Sequence, residues 1–182
     1  MHFKGAIATS GTNAQPFLLP TAFRPATNVY VEVDLCNANK GRLLIQSTGV
    51  VTVRAENGTF SNAQCFTSLD GAWFMKTPNG AKALTLLNGW TNAPFGTSNA
   101  LFERIYNIVY FKGAIGNGTA ATVFTLPIGS RPVTNIYIPI DLCNANKGRL
   151  FIQTSGAVSV QSESSFSDAQ CFTSLDGASF EQ

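Results

Sequence analysis

The ten residues DLCNANKGRL occur twice in this chain, at positions 34–43 and again at 141–150. The identity extends beyond this loop, because FKGAI at 3–7 recurs at 111–115 and AQCFTSLDGA at 63–72 recurs at 169–178. Two copies with a long period indicate a duplicated domain rather than a solenoid. The copies differ in length only by single residues in Gly/Ser/Asn-rich stretches, where loops tolerate insertion and deletion.

The segments beside the loop alternate as half-buried strands do. Apolar residues, mostly β-branched, occupy every second position, which is the period of a strand with one buried face. The predicted inward-facing positions are Val29, Val31, Val33 and Leu35, and then Ile136, Ile138, Ile140 and Leu142. Short strands separated by Gly, Pro and Asn turns predict an all-β fold of two tandem antiparallel β-sandwich (jelly-roll-like) domains.

The repeat sets the domain boundaries. We predict a first β-sandwich repeat at 1–76, a linker at 77–82 and a second β-sandwich repeat at 83–182. The first copy lacks the opening strands of the second. This favours an upstream truncation or an internal start, although residues after position 74 are an alternative source of the missing strand.

Two positions bear on packing. Pro139 has no N–H for a ladder, so its strand is expected at a sheet edge or at a bulge. Leu44 and its counterpart Phe151 point away from the predicted core, which indicates a second buried surface. Either a subunit contact or a second sheet would bury them.

Composition excludes several classes of partner. Charged residues make up 12% of the chain, the net charge is +2, and the basic residues are not clustered. Neither nucleic acid binding nor membrane insertion is expected, since no apolar run approaches the roughly 20 residues of a membrane helix. The first residues do not form a signal peptide. For that reason NGT at 57–59 and 117–119 is interpreted as a turn rather than a glycosylation site.

Each repeat contains two cysteines, Cys36 with Cys65 and Cys143 with Cys171. Each pair joins the end of one strand to the start of another, so a disulfide within each repeat is geometrically possible. Free buried thiols are the alternative, and the absence of a signal peptide favours them. With one histidine and no CxxC, a zinc site is not expected.

Catalysis is not expected either. His2 is the single histidine and has no counterpart in the second copy, which argues against a Ser-His-Asp or Cys-His arrangement. Asp70 and Asp176 precede glycine, as turn residues do. Glu32 is replaced by Pro139, which argues against a required carboxylate pair. No phosphate loop or dinucleotide motif occurs, so we predict no enzyme activity, no cofactor and no metal.

The second copy contains, in order, LLNGWTN, YFKGAI, LPIGSRP, GAVSV and FTSLDGASF. This order resembles the C-terminal tip domain of bacteriophage tail fibres and related receptor-binding proteins, over 84–180 and more weakly over 3–74. Ser130 departs from the family pattern, which prefers tyrosine, and so does the cysteine-bearing loop. The resemblance implies a homotrimeric β-sandwich on a virion tail fibre that binds a host cell-surface glycan without catalysis. A free-standing bacterial lectin and a structural fibre-assembly module are the alternatives.

The repeated loop supplies the predicted glycan-binding residues, because amides, cations and an aromatic platform suit sugar hydroxyls and sugar faces. The predicted set is Tyr30, Asn37, Asn39, Lys40 and Arg42, with Tyr137, Asn144, Asn146, Lys147 and Arg149. Trp73 and Trp90 are further candidate platforms, although packing is favoured for Trp90. The alternative is a purely structural turn or oligomer contact, in which the asparagines cap the loop backbone and its glycine adopts positive φ.

Overall fold

The computed structural model describes residues 1–182, except the side chain of Asn57, so the NGT sequence at 57–59 lies partly outside the described residues. The elements of the first repeat are β1 (Ala6–Ile7), β2 (Phe17–Leu18), β3 (Val29–Asp34), β4 (Lys40–Ile45), β5 (Val50–Ala55), α1 (Phe60–Cys65) and β6 (Thr67–Ser68).

The second repeat follows the same order and has additional strands in front. Its elements are β7 (Lys82–Ala83), β8 (Thr91–Asn92), β9 (Leu101–Ile105), β10 (Ile108–Lys112), β11 (Ala114–Gly116), β12 (Thr122–Thr125), β13 (Ile136–Asp141), β14 (Lys147–Ile152), β15 (Ala157–Ser162), α2 (Phe166–Cys171), β16 (Thr173–Ser174) and β17 (Ser179–Glu181). Short 3-10 turns lie at Thr21–Phe23, Cys36–Ala38, Glu56–Gly58, Pro94–Gly96, Ile128–Ser130 and Cys143–Ala145.

The fold is all-β with antiparallel sheets, as predicted. In the second repeat, the sheet β12-β15-β14-β13 faces the sheet β17-β10-β9-β7. Apolar side chains from both sheets fill the space between them, among them Phe111, Phe124 and Leu150, which are fully buried. This burial of apolar surface on two facing sheets is what stabilises a β-sandwich.

The first repeat has the same main sheet, β2-β5-β4-β3, but a shorter opposing layer. That layer consists of β1 paired with β6, together with residues 1–3 beside 72–74. The N–H of Phe3 donates to the carbonyl of Ala72 at 3.0 Å, and the N–H of Phe74 donates to the carbonyl of Met1 at 3.0 Å. The predicted inward positions of β3 are buried as expected.

Two sequence-based expectations concerning local structure have clear outcomes. Pro139 is exposed on β13, which is an edge strand, so the edge prediction is confirmed. The sequence shows no helical period, yet the segments FSNAQC and FSDAQC are helical. Each forms a short helix, α1 or α2, because six residues are too few to display a helical period in the sequence.

The preference for free thiols is also wrong. Cys36 is bonded to Cys65 and Cys143 to Cys171, with Cα atoms 5.7 Å apart in each pair. Each disulfide fastens the repeated loop to the end of the helix that follows the hairpin. The loop is therefore fixed to the body of its own repeat at a point far along the chain.

The two repeats pack against each other through the outer face of β3 and β4. Tyr30 and Leu44 lie against Ala114, Phe172 and Cys143 of the second repeat. The second surface predicted for Leu44 is thus buried by the other repeat of the same chain. No helix among the described residues is long and apolar enough to cross a membrane.

Candidate binding site

The repeated loop is a turn that satisfies its own backbone. Asn37 and Ala38 both have a φ of 58°, and their counterparts Asn144 and Ala145 have φ of 61° and 65°. The side-chain amide of Asn39 donates to the carbonyl of Cys36 at 2.8 Å. The left-handed residues are therefore an Asn-Ala pair, and the expectation that the loop glycine supplies the positive φ is wrong.

The glycine of the loop serves a different purpose. Gly41 lies in β4, where a Cβ atom would come within 2.6 Å of the Leu35 side chain and 3.0 Å of the Arg54 carbonyl. Gly148 has the same close approach to Leu142. Glycine at this position lets the buried leucine of the loop pack directly on the strand backbone.

The two copies of the loop have unlike surroundings. Lys40 forms a buried ion pair with Asp141 and donates to the carbonyls of Ala145 and Asn146, each at 3.0 Å. Arg42 donates to the other oxygen of Asp141 at 3.2 Å. All three acceptors belong to the second repeat. Lys40 and Arg42 of the first loop thus bind the second copy of the loop through ion pairs and hydrogen bonds.

The same basic pair is open to solvent in the second repeat. Lys147 lies 3.7 Å from Glu163, with both side chains exposed. Arg149 donates to the side-chain oxygen of Gln161 at 2.6 Å. An exposed pair of this kind contributes little to stability, because water and salt screen it.

The predicted aromatic platforms differ in the same way. Tyr30 is 8% exposed, its ring centroid lies 4.7 Å from that of Phe172, and the Arg42 guanidinium stacks on it at 5.0 Å. Tyr137 is 55% exposed and carries Arg149 at 4.9 Å. The Tyr30 and Lys40 side chains are almost wholly buried in the contact between the repeats, so their positions give no support to the predicted contacts with glycan.

The remaining predicted residues are spread over several surfaces. Asn37, Asn39 and Asn144 are exposed, and Asn146 is half-buried. Trp90 is buried and its indole N–H donates to the carbonyl of Ala120 at 2.8 Å, so it packs in the core. The structure therefore does not gather the predicted set into one site.

A small crevice opens where the two repeats meet, with a volume of about 140 Å³. We call it the seam crevice, and it is lined by Tyr30, Arg42, Arg54, Phe95, Cys143, Asn144 and Phe172. Three of these residues, Tyr30, Arg42 and Asn144, were predicted from the sequence. At this point the Arg54 guanidinium donates to the side-chain oxygen of Asn144 at 3.4 Å, across the boundary between the repeats.

The most exposed aromatic residue in the lining of the seam crevice is Phe95, which is 59% exposed. Its backbone has a φ of 54°, and the amide of Asn28 donates to its carbonyl at 3.1 Å. Its ring meets Phe172 at a centroid distance of 5.7 Å and an angle of 64°. An aromatic side chain held in this way presents a fixed apolar face to solvent.

Sequence reasoning missed Phe95 and Arg54. Phe95 belongs to the segment that only the second copy contains, and NAPFG there has the composition of an ordinary turn. Arg54 is replaced by Gln161 in the second copy, so the repeat gave it no emphasis. The feature that identifies this site is an exposed aromatic side chain on a loop with positive φ, and only the structure shows that feature.

A larger cleft lies on another side of the contact between the repeats, with a volume of about 640 Å³. Its lining includes Glu32, Asp34, Glu56, Asp70 and Glu163, together with Asn39, Lys147 and Trp73. Burial raises the pKa of Glu32 above its ordinary value. Among the described residues, no cluster of three or more His, Cys, Asp or Glu side chains is arranged to hold a metal ion.

Comparison with known proteins does not assign this chain to a family. The sequence matches no protein-family profile and no curated protein. One solved structure that is similar is the receptor binding protein (gp15) of Listeria phage PSA, with a TM-score of 0.44 and 21% identity over 55% of this chain. The matched part spans 62% of that protein, which is less than two thirds of its length. The fold assignment therefore rests on the strands and sheets described above.

Proposed function

We propose that this chain is a non-catalytic receptor-binding module of a phage-type tail fibre, and that it binds a host cell-surface glycan at the seam crevice. The observation that carries the proposal is the exposed ring of Phe95, fixed beside Asn144 and Arg54. The motif order at 84–180, which resembles tail-fibre tip domains, supports the biological setting. In that setting the module is a homotrimer on the virion tail.

The chemistry of the seam crevice suits a sugar. The phenyl face of Phe95 takes the apolar side of a pyranose ring. The amide of Asn144 both donates and accepts, and the guanidinium of Arg54 donates in a fixed fork, so together they satisfy vicinal hydroxyls or a carboxylate. Each contact is modest, and a trimer with three crevices would gain strength from simultaneous attachment to a surface.

The titratable groups of the crevice favour recognition over reaction. The guanidinium groups of Arg42 and Arg54 act as hydrogen-bond donors. Burial raises the pKa of Tyr30, so its hydroxyl keeps its proton near neutral pH. General acid-base catalysis needs a group that exchanges a proton near the working pH, and these residues do not.

A glycan array on the wild-type protein, followed by titration of the best ligand, tests the proposal. Phe95→Ala should weaken binding roughly tenfold or more, equivalent to about 1.4 kcal/mol. The matched control is Phe23→Ala, which removes another exposed phenylalanine that does not line the crevice. Equal affinity of the two variants would contradict the assignment of the site.

A second matched pair uses the repeat itself. Asn144→Ala should weaken binding, whereas Asn37→Ala, at the same position of the first loop, should leave it unchanged. Both substitutions put alanine at a positive φ, so they cost similar stability. An array without any bound glycan would contradict the proposal and favour the structural fibre-assembly role.

A further inference from the structure

The contact between the repeats joins two different surfaces. The basic surface belongs to the first repeat and consists of Tyr30, Lys40, Arg42 and Leu44. The acidic surface belongs to the second repeat and consists of Ala114, Asp141, Phe172 and Ser174. Besides the ion pairs, the hydroxyl of Ser174 donates to the carbonyl of Tyr30 at 2.6 Å, so the surfaces are joined by charge, ring packing and backbone contact.

Because the chain is duplicated, each repeat carries both surfaces. The second copy of the basic surface is Tyr137, Lys147, Arg149 and Phe151. The first copy of the acidic surface is Ala6, Asp34, Phe66 and Ser68. Every residue type is retained except that phenylalanine replaces leucine, which enlarges the apolar contact.

The side chains of these second copies are not docked on the other repeat, and within the described residues Lys147 and Arg149 pair only with Glu163 and Gln161 of their own repeat. Tyr137 is 55% exposed and Phe66 is 38% exposed, whereas their counterparts Tyr30 and Phe172 are buried. Asp34 and Arg149 are exposed as well. One molecule therefore exposes both complementary surfaces of an interface, and the same kind of interface is already formed between its own two repeats.

Both halves share local geometry with the internal contact, and in the open basic surface the Tyr137 ring is in addition stacked on Phe151 at 4.8 Å. Arg149 stacks on Tyr137 at 4.9 Å, as Arg42 stacks on Tyr30 at 5.0 Å. Phe66 has a φ of −165° and Phe172 has −166°, each directly after a disulfide-bonded cysteine. Association would order few side chains, which lowers its entropic cost.

We infer that the basic surface of the second repeat docks on the acidic surface of the first repeat of another copy of this chain. Lys147 and Arg149 then take Asp34 of the partner's first repeat as their shared acceptor, and the Tyr137 ring packs on its Phe66. Such an interface joins unlike patches, so it generates a ring or a filament. Asp34 and Lys147 both line the 640 Å³ cleft, so one edge of each open surface faces the same side of the molecule, which suits a small closed ring.

Complementation between two variants tests this arrangement. Arg149→Glu damages only the open basic surface, and Asp34→Lys damages only the open acidic surface. Sedimentation should show a concentration-dependent oligomer for the wild type and a monomer for each variant alone, with association weakened at least tenfold. An equimolar mixture should associate again, because each variant retains the surface that the other lacks and the two reversed charges are complementary to each other.

Several outcomes would overturn the inference. These are a wild type that is monomeric at its highest soluble concentration, an oligomer that survives both substitutions, and a mixture that fails to pair. The charge-reversal control is Lys82→Glu on β7, which should oligomerise normally. Circular dichroism confirms folding of each variant.

The inference does not rest on glycan binding, and the same variants keep the two ideas distinct. The seam crevice lies within one chain, so monomeric variants should retain the single-site affinity and lose only the gain from multiple attachment. An oligomer that survives both substitutions contradicts the docking alone, and a wild type that oligomerises but binds no glycan contradicts the proposed function alone.

Discussion

Removing the carboxylate of Asp141 should destabilise the whole chain far more than removing its counterpart in the first loop. The Asp141 side chain is 0% exposed and accepts from both Lys40 and Arg42. Replacement by alanine leaves a buried ammonium and a largely buried guanidinium without their counter-ion. Breaking a buried ion pair from one side typically costs about 3–5 kcal/mol.

The structure places the cost of Asp141→Ala near the lower end of that range. Lys40 would keep two carbonyl acceptors, those of Ala145 and Asn146. We therefore expect a loss of about 3 kcal/mol in the free energy of unfolding. The matched control is Asp34→Ala at the same loop position, where the side chain is exposed and the expected change is within about 0.5 kcal/mol in the dilute monomer.

Urea denaturation with intact disulfides measures both values. Trp73 and Trp90 provide one fluorescent reporter in each repeat, so a difference between tryptophan and circular dichroism transitions would reveal separate unfolding of the repeats. A third variant, Lys40→Met with Arg42→Met and Asp141→Leu, should recover much of the loss because it removes all three charges together. Equal stability of Asp141→Ala and Asp34→Ala would refute the buried contact between the repeats.

Three further perturbations follow from the structure. Burial raises the pKa of Asp176 to about 7 from 3.8, partly offset by Lys112 and a backbone N–H, so the folded chain holds a proton that the unfolded chain releases. The free energy of unfolding should therefore fall as pH rises from about 4 to about 7, by a few kcal/mol. Asp176→Asn should flatten this slope and Asp70→Asn should not, as pH-dependent denaturation would show. Reduction of the disulfides, which close loops of 29 and 28 residues, should cost about 3 kcal/mol each, and thermal melting with and without dithiothreitol measures it. Gly118→Ala should lose at least about 1–3 kcal/mol, because its Cβ would lie 1.9 Å from the Trp90 ring, whereas Gly129→Ala meets nothing within 4 Å and should melt like the wild type.

Much of the fold follows from the period of the apolar residues. Alternation along β3 and β13 predicts which side chains are buried, because side chains of a strand point to opposite faces in turn. The proline on β13 predicts an edge, because it lacks a donor. These are local rules, and the structure obeys them.

Other features depend on contacts between residues far apart in the sequence, and local sequence patterns do not predict such contacts. Lys40 is buried because it meets Asp141, 101 positions away, and Lys147 is exposed because the chain offers it no such partner. An identical loop sequence could not reveal that difference. The same limit applies to Phe95, whose value as a platform comes from Phe172 beneath it and Asn144 beside it.

Part of the lining of the seam crevice comes from residues that have no identical counterpart in the other repeat. Phe95 lies in a segment without a first-copy equivalent, and Arg54 faces glutamine at its repeated position. Substitutions at Phe95 and Arg54 leave the ion pairs of Asp141 with Lys40 and Arg42 unchanged. Under the proposed function, substitutions at Phe95 and Arg54 would therefore change receptor specificity while the ion pairs between the repeats stay intact.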